Sequence, residues 1–200
     1  MTRTRADMVA ETREKLIRAG RAAFAAKGYA AASMDDLTAE VGLTRGALYH
    51  SFGDKKGLLQ AVIDQIDAEM LTRMRAAGAR GQTPWEGFVE EGVAYIEMAL
   101  EPEIQRIMLL DGPAVLGDPS GWPNQTACLR TTTKTLQTLI DDGVVAPVDA
   151  EAAARLVNGA ALNAALWVAA ADDPTAVLEP AVDAFRRLTS GLLNRNGVDA

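Results

Sequence analysis

The segment Thr44-Arg45-Gly46-Ala47-Leu48-Tyr49-His50 concentrates donors that a polyanion would accept. The Arg45 guanidinium is a planar fork that fits the O6 and N7 acceptors of a guanine edge, whereas the Thr44 hydroxyl, Tyr49 phenol and His50 imidazole suit phosphate oxygens. Gly46 would let a backbone approach closely. Leu48 and Phe52 stand four apart, so on a helix they share the face opposite these groups. A solvent face with no task would more usually carry Glu, Lys and Gln. His50 also has a plain reading, since a lone histidine is most often an ordinary surface or boundary residue.

The elements that must position this face lie in Ser33 to Lys56. Ser33 can cap a helix, and Asp36 follows at capping-box spacing. Leu37 and Val41 share a face, and Gly42 can end the helix in a left-handed conformation with Leu43 tucked beneath the turn. Thr44 is a second N-cap candidate. Two short helices across a glycine turn, the second with a polar and basic outer face, predict a helix-turn-helix DNA reader. Here the Ser33 hydroxyl or nearby amides would join Thr44, Tyr49, His50 and Lys55 in holding phosphates, with Arg45 reading a base.

The same stretch resembles the DNA-binding domain of the tetracycline-repressor (TetR) family of bacterial transcriptional regulators. The resemblance rests on Phe24, Gly28, Tyr29, Ser33, Leu37, Val41, Gly42, Leu43, Thr44, Gly46, Leu48, Tyr49, Phe52, Lys55 and Leu58. It covers the first sixty or so residues firmly and the rest in helical layout. Gly20, Lys56 and Gly57 depart from the family pattern. Gly20 in place of Ala should weaken the first helix by about 1 kcal/mol.

The net charge of −7 hides an asymmetry: residues 1–60 carry +3 and residues 61–200 carry −10. A basic front on an acidic body would orient the molecule on a polyanion. A single cysteine, Cys128, excludes an internal disulfide and a cysteine zinc cluster, and a single histidine excludes a paired-histidine metal site. No metal or cofactor is expected. Without a signal-peptide pattern or a membrane-length apolar run, the expected setting is the cytoplasm.

The remaining pattern predicts an all-α protein of about nine helices. A three-helix DNA-binding domain spans 1–56, and a larger helical effector-binding and dimerisation domain spans 57–200. Residues 1–10 read as a disordered basic arm bearing Arg3 and Arg5, either a solvated tail or a minor-groove contact. The first helix is expected over Thr12 to Lys27. Asp54 then caps a helix to about Ala77, roughly 34 Å long, able to join a DNA-reading head to the rest. Lys55 and Lys56 sit in its first turn, where the helix dipole disfavours cations. A docked phosphate would offset that cost; lysines simply facing water are the alternative.

Thr83, Pro84 and Glu86 open a helix to about Leu100, and Pro102 opens another to Leu110. Asp111-Gly112-Pro113 reads as a turn and Gly117 to Pro123 as an exposed loop around Trp122. Helices follow over Gln125 to Asp141, from Asp149 to about Ala170, and from Asp173-Pro174 to about Leu193. In the last, Pro180 lies in the first turn or forms a kink, and Leu178, Ala181, Phe185, Leu188 and Leu192 form the inward stripe. The last two long helices are rich in small or apolar residues and suit a two-fold four-helix interface with a second copy.

What the resemblance implies goes further: a homodimer on a pseudo-palindromic duplex operator, and a small-molecule effector whose binding alters head spacing and lowers DNA affinity. Candidate pocket residues are Trp85, Phe88, Met98, Met108, Trp122, Cys128, Asn158, Asn163 and Trp167. Ordinary core or loop packing is the competing and commoner role of each. Asn158 and Asn163 are the more informative, because amides on an apolar helix need partners. No nucleophile-base constellation, phosphate loop or dinucleotide motif supports an enzyme. An all-α ligand-binding or protein-interaction module without DNA binding remains the alternative.

Overall fold

Helix ends set this architecture. The computed structural model describes residues 4–194, and within them nine helices follow one another. Helix α1 (Arg5–Ala31) begins with a reciprocal capping box, in which the Asp7 N–H donates to Thr4 Oγ1 at 3.2 Å and the Thr4 N–H donates to Asp7 Oδ2 at 2.9 Å. These bonds hold the Asp7 carboxyl below its usual range. The helix thus starts well before Thr12. Arg5 is helical rather than part of a disordered arm, and Arg3 lies outside the described residues. Gly28, the residue after the expected helix end at Lys27, breaks the helix at φ 78°.

Next come α2 (Met34–Glu40), α3 (Arg45–Phe52), α4 (Lys55–Gly78) and α5 (Pro84–Glu97), the last with the expected Thr83–Glu86 capping box and first-turn proline. A short 3-10 turn, Met98–Leu100, closes α5. Helix α6 spans 102–116 and includes a π-helical stretch, Gln105–Asp111. Asp111-Gly112-Pro113 is therefore not a turn. The Gly112 N–H reaches back to the Ile107 carbonyl, and this wider winding carries the chain into Pro113 without ending the helix.

Helices α7 (Pro123–Asp141), α8 (Ala150–Ala170) and α9 (Pro174–Ser190) complete the set. Pro180 is inside α9, past its first turn. The chain leaves α9 at Ser190, and Leu193 forms an isolated antiparallel bridge with Val145, stitched by Ala146 N–H to Leu192 O at 2.9 Å and Asn194 N–H to Val144 O at 3.0 Å. Trp122 is only 7% exposed, so the 117–123 connection buries the side chain expected at the surface.

The helices sort into two compact units. The first holds the described residues up to Ile66 together with Pro102–Gly117. Its core includes Leu16, Phe24, Leu37, Leu48, Leu58, Leu59, Ile63 and Ile107. Gly20 is complementary to this core: a Cβ there would sit 2.9 Å from a Leu58 methyl, so its absence makes room. Charged groups tie α6 to α1. Arg21 donates to both Glu103 oxygens at 2.7 Å, and Asp111 Oδ2 accepts the Tyr29 N–H at 2.7 Å, beside the Gly28 turn.

The second unit holds Asp67–Glu101 and the described residues from Asp118 on. In it α8 packs against α5, α7 and α9. Leu136, Leu139, Val145, Ala150, Ala153 and Ala154 form a core cluster covered by Trp85 and Phe88. The alanines let helix axes approach closely. Gly92 of α5 plays the same part toward α9, because a Cβ there would lie 2.6 Å from the buried Phe185 ring. Gly92→Ala should lower unfolding free energy by about 1–3 kcal/mol through overpacking, against the roughly 1 kcal/mol that alanine gains in a helix interior. Urea denaturation of the two proteins measures the difference.

Candidate nucleic-acid interface

Backbone hydrogen bonding builds the turn between α2 and α3. Val41 caps α2, and Gly42 takes φ 66°. Its N–H donates to Ala39 O at 3.1 Å, and the Leu43 N–H donates to Thr38 O at 2.9 Å. This is a Schellman closure, in which the left-handed residue suits glycine. Ser33 Oγ accepts the Asp36 N–H at 3.3 Å to start α2, and Thr44 Oγ1 accepts the Ala47 N–H at 3.2 Å to start α3. Leu37 and Leu48 are buried, which fixes the rotation of both helices. At the other end of α3, Arg13 donates to Ser51 O at 3.3 Å and lies 4.5 Å over the Phe52 ring.

With Leu48 inward, Thr44, Arg45, Gly46, Tyr49 and His50 all face out. Arg45 is not free to wander. Its Nη1 lies 3.3 Å from Asp35 Oδ1, its Nη2 donates to the Tyr49 hydroxyl at 3.1 Å, and its guanidinium sits 5.3 Å over the Tyr49 ring. Because the Tyr49 oxygen accepts from Arg45, the phenolic proton remains available to another acceptor. A methyl added at Gly46 would meet nothing nearer than Thr44 Oγ1 at 3.7 Å, so internal packing does not require glycine there.

Lys55 does not simply face water. It turns back on α1, donating to Ala30 O at 3.3 Å with its ammonium 4.5 Å over the Tyr29 ring. Burial lowers its pKa, with Asp111 acting the other way. Lys56 stays exposed. Asp54 Oδ1 accepts the Gly57 N–H at 2.7 Å, as a cap for α4 should. A Cβ at Gly57 would meet Phe52 O at 2.0 Å, so this departure from the family pattern reflects a close backbone approach.

The nine pocket candidates do not form one group. Met108 belongs to the first unit. Trp85 and Phe88 pack ring against ring at 5.7 Å over the α7–α8 core, and Met98 is buried. Asn163 and Trp167 are exposed on α8, in line with Leu156. Cys128 and Asn158 do meet, with Asn158 Nδ2 at 3.9 Å from Sγ and Thr132 Oγ1 donating to Asn158 Oδ1 at 3.2 Å. Burial pushes up the Cys128 thiol, the Tyr95 phenol and the Glu91 carboxyl, and Asp67 adds to the first two. Tyr95, Glu91, Asp67 and Thr132 are thus additions to this half-buried polar group. Tyr95 stands seven residues after Phe88, a helical spacing that could have marked it. Trp122 Nε1 is a buried donor with no hydrogen-bond partner among the described residues. A separate open groove of about 310 Å³, edged by Arg80, Glu86, Glu90 and Glu97, contains none of the nine.

Two family models match this chain: residues 16–62 fit the bacterial regulatory proteins of the tetR family, and residues 85–192 fit the tetracyclin repressor-like C-terminal domain. The chain belongs to the TetR family. A TetR-family transcriptional regulator from Pectobacterium atrosepticum has a solved structure with 50% identity, covering 96% of this chain and 98% of its own, at TM-score 0.87. The transposon Tn10 TetC protein of Escherichia coli is 35% identical over 89 residues, which is 42% of this chain and 44% of that one. The HTH-type transcriptional repressor AcnR of Corynebacterium glutamicum is 29% identical over 105 residues, 52% of this chain and 55% of its own. The chain spans about half the length of these curated relatives.

In this TetR-family chain the helix-turn-helix falls wholly inside the matched N-terminal region. Among the described residues, no helix is long and apolar enough to cross a membrane and no cluster of three or more His, Cys, Asp or Glu could hold a metal.

Glu91 gives the half-buried polar group a measurable signature. Its folded pKa is raised above the ordinary 4.5, with burial the larger cause and Arg75 opposing it. The stability it contributes is therefore complete below about pH 4.5 and is lost as pH rises through the folded value. Glu91→Gln should flatten that part of the stability-pH curve and unfold at a urea concentration no lower than wild type at pH 7; parallel curves for the two proteins would contradict the assignment.

Proposed function

We propose that this TetR-family chain is a DNA-binding transcriptional regulator, acting in the cytoplasm as a repressor that a small-molecule effector releases from its operator. The observation that carries the reading is the outer face of α3. Its exposed side chains are Thr44, Arg45, Tyr49 and His50, with Gly46 leaving the backbone open. On this account residues 1–56 are the DNA-binding domain and residues 57–200 bind effector and dimerise. Arg45 reads a guanine edge. Thr44, Tyr49, His50, Lys55 and the Ser33 cap hold phosphates and set register, with Lys55 swinging off Tyr29 to do so.

A second copy would pack on α8 and α9. Support comes from apolar side chains left at the surface there: Leu156 is 76% exposed, Trp167 50% and Leu188 65%. Leu188 thus leaves the inward stripe of α9 for this outer face. Asn163 and Trp167 serve the dimer in this reading rather than an effector pocket. The effector site is assigned to the second unit, around Cys128, Asn158, Tyr95 and Glu91; the buried Trp122 indole of the same unit carries an unpartnered donor.

Two experiments test this reading. Arg45→Ala should lower the preference for one base pair per half-site by about tenfold or more when binding is measured across point-changed operators; an unchanged preference profile refutes the role. Leu156→Glu combined with Leu188→Glu should convert dimer to monomer in sedimentation and weaken binding to a two-half-site duplex, and a variant that stays dimeric removes α8 and α9 as the interface.

A further inference from the structure

We infer that Asp35 is a positioning residue for sequence readout: it holds the Arg45 fork in the orientation that meets a base edge. The inference rests on the DNA-reading function proposed above. Asp35 lies in the first turn of α2 and Arg45 opens α3, on opposite sides of the Gly42 turn. Arg45 Nη1 is 3.3 Å from Asp35 Oδ1 and 3.4 Å from Oδ2, while Nη2 is held by Tyr49 at 3.1 Å. The guanidinium is gripped through both terminal nitrogens, which fixes its plane. A guanidinium carries five N–H donors, so donors remain for a base after these two contacts.

Stability does not account for this arrangement. The Arg45 and Asp35 side chains are 58% and 68% exposed, and such surface pairs contribute little to folding. A carboxylate on a surface that meets phosphates also opposes binding to any duplex. What the contact does supply is order. A long arginine that is already oriented loses less rotamer freedom on docking, and a fork held in one plane discriminates between bases better than one that can swing to a phosphate. Asp35 also suits the α2 dipole. A role confined to α2 would change affinity for all sequences alike and leave base preference untouched.

The experiment compares full-length wild type, Asp35→Asn and Asp35→Glu in selection from a pool of random duplexes at fixed salt, with circular dichroism and melting confirming that each is folded. Wild type should enrich a motif. Asp35→Asn should lose about two- to fivefold in preference at the base pair that Arg45→Ala relaxes, while binding unselected duplex more tightly. Asp35→Glu should restore part of the preference. A wild-type motif that Asp35→Asn reproduces at full strength, or loses uniformly at every position, overturns the inference alone. A wild type that enriches nothing overturns the DNA-reading function with it.

Discussion

An eight-residue helix cannot hold itself together in water, and the whole proposed function depends on one. Helix α3 is kept in place from every side that does not face out. Thr44 caps its start, Leu48 anchors its inner face, and Arg13 bonds the Ser51 carbonyl and covers Phe52. The Schellman closure at Gly42 fixes its direction relative to α2. Because these restraints lie on the inner face and at the two ends, Arg45, Tyr49 and His50 on the outer face take no part in the core. Rigid support beneath and donors still available above is the combination a recognition helix requires.

The first unit extends this support beyond the sequence-local elements. Segment 102–117 joins it, and the contacts are charged or backbone-directed: Arg21 with Glu103, and Asp111 with the Tyr29 N–H next to the Gly28 break. Lys55 closes the same corner by stacking on Tyr29 and bonding Ala30. The end of α1 and the start of α4 are thereby pinned around one aromatic ring, just behind the helix-turn-helix. Winding residues 105–111 as a π-helix leaves Asp111 within α6, where it accepts the Tyr29 N–H, and lets the chain pass Pro113 without stopping.

What could be read from the sequence was local. Ser33, Thr44, Thr83 with Glu86, and Asp149 act within three residues of themselves, so their caps were legible, as were the outward set on α3 and the glycine turn at Gly42. The start of α1 at Thr4 was equally local in its Thr-x-x-Asp box but was hidden by the absence of an apolar stripe across 5–10. Other features depend on residues far apart in the chain. The Asp111–Tyr29 bond spans 82 positions, and neither it nor the burial of Trp122 leaves a periodic trace. Breaker residues were misleading at 111–113, since a π-helix can carry them. Gly20 looked like a weak helix former and Gly57 like a departure from the family pattern because neither propensity nor pattern includes what packs against them, which is Leu58 at the first and the Phe52 carbonyl at the second. The pocket candidates scattered for a related reason: aromatic and amide side chains on apolar helices serve core, surface and site alike.

Photo-crosslinking from two positions of the full-length chain bears most directly on this account. A photoreactive phenylalanine at Tyr49, and in a second protein at Trp167, would be irradiated with a selected duplex present. The account predicts that position 49 links to DNA and position 167 to a second copy of the chain. Position 49 linking only to protein, or position 167 linking to DNA, would contradict it.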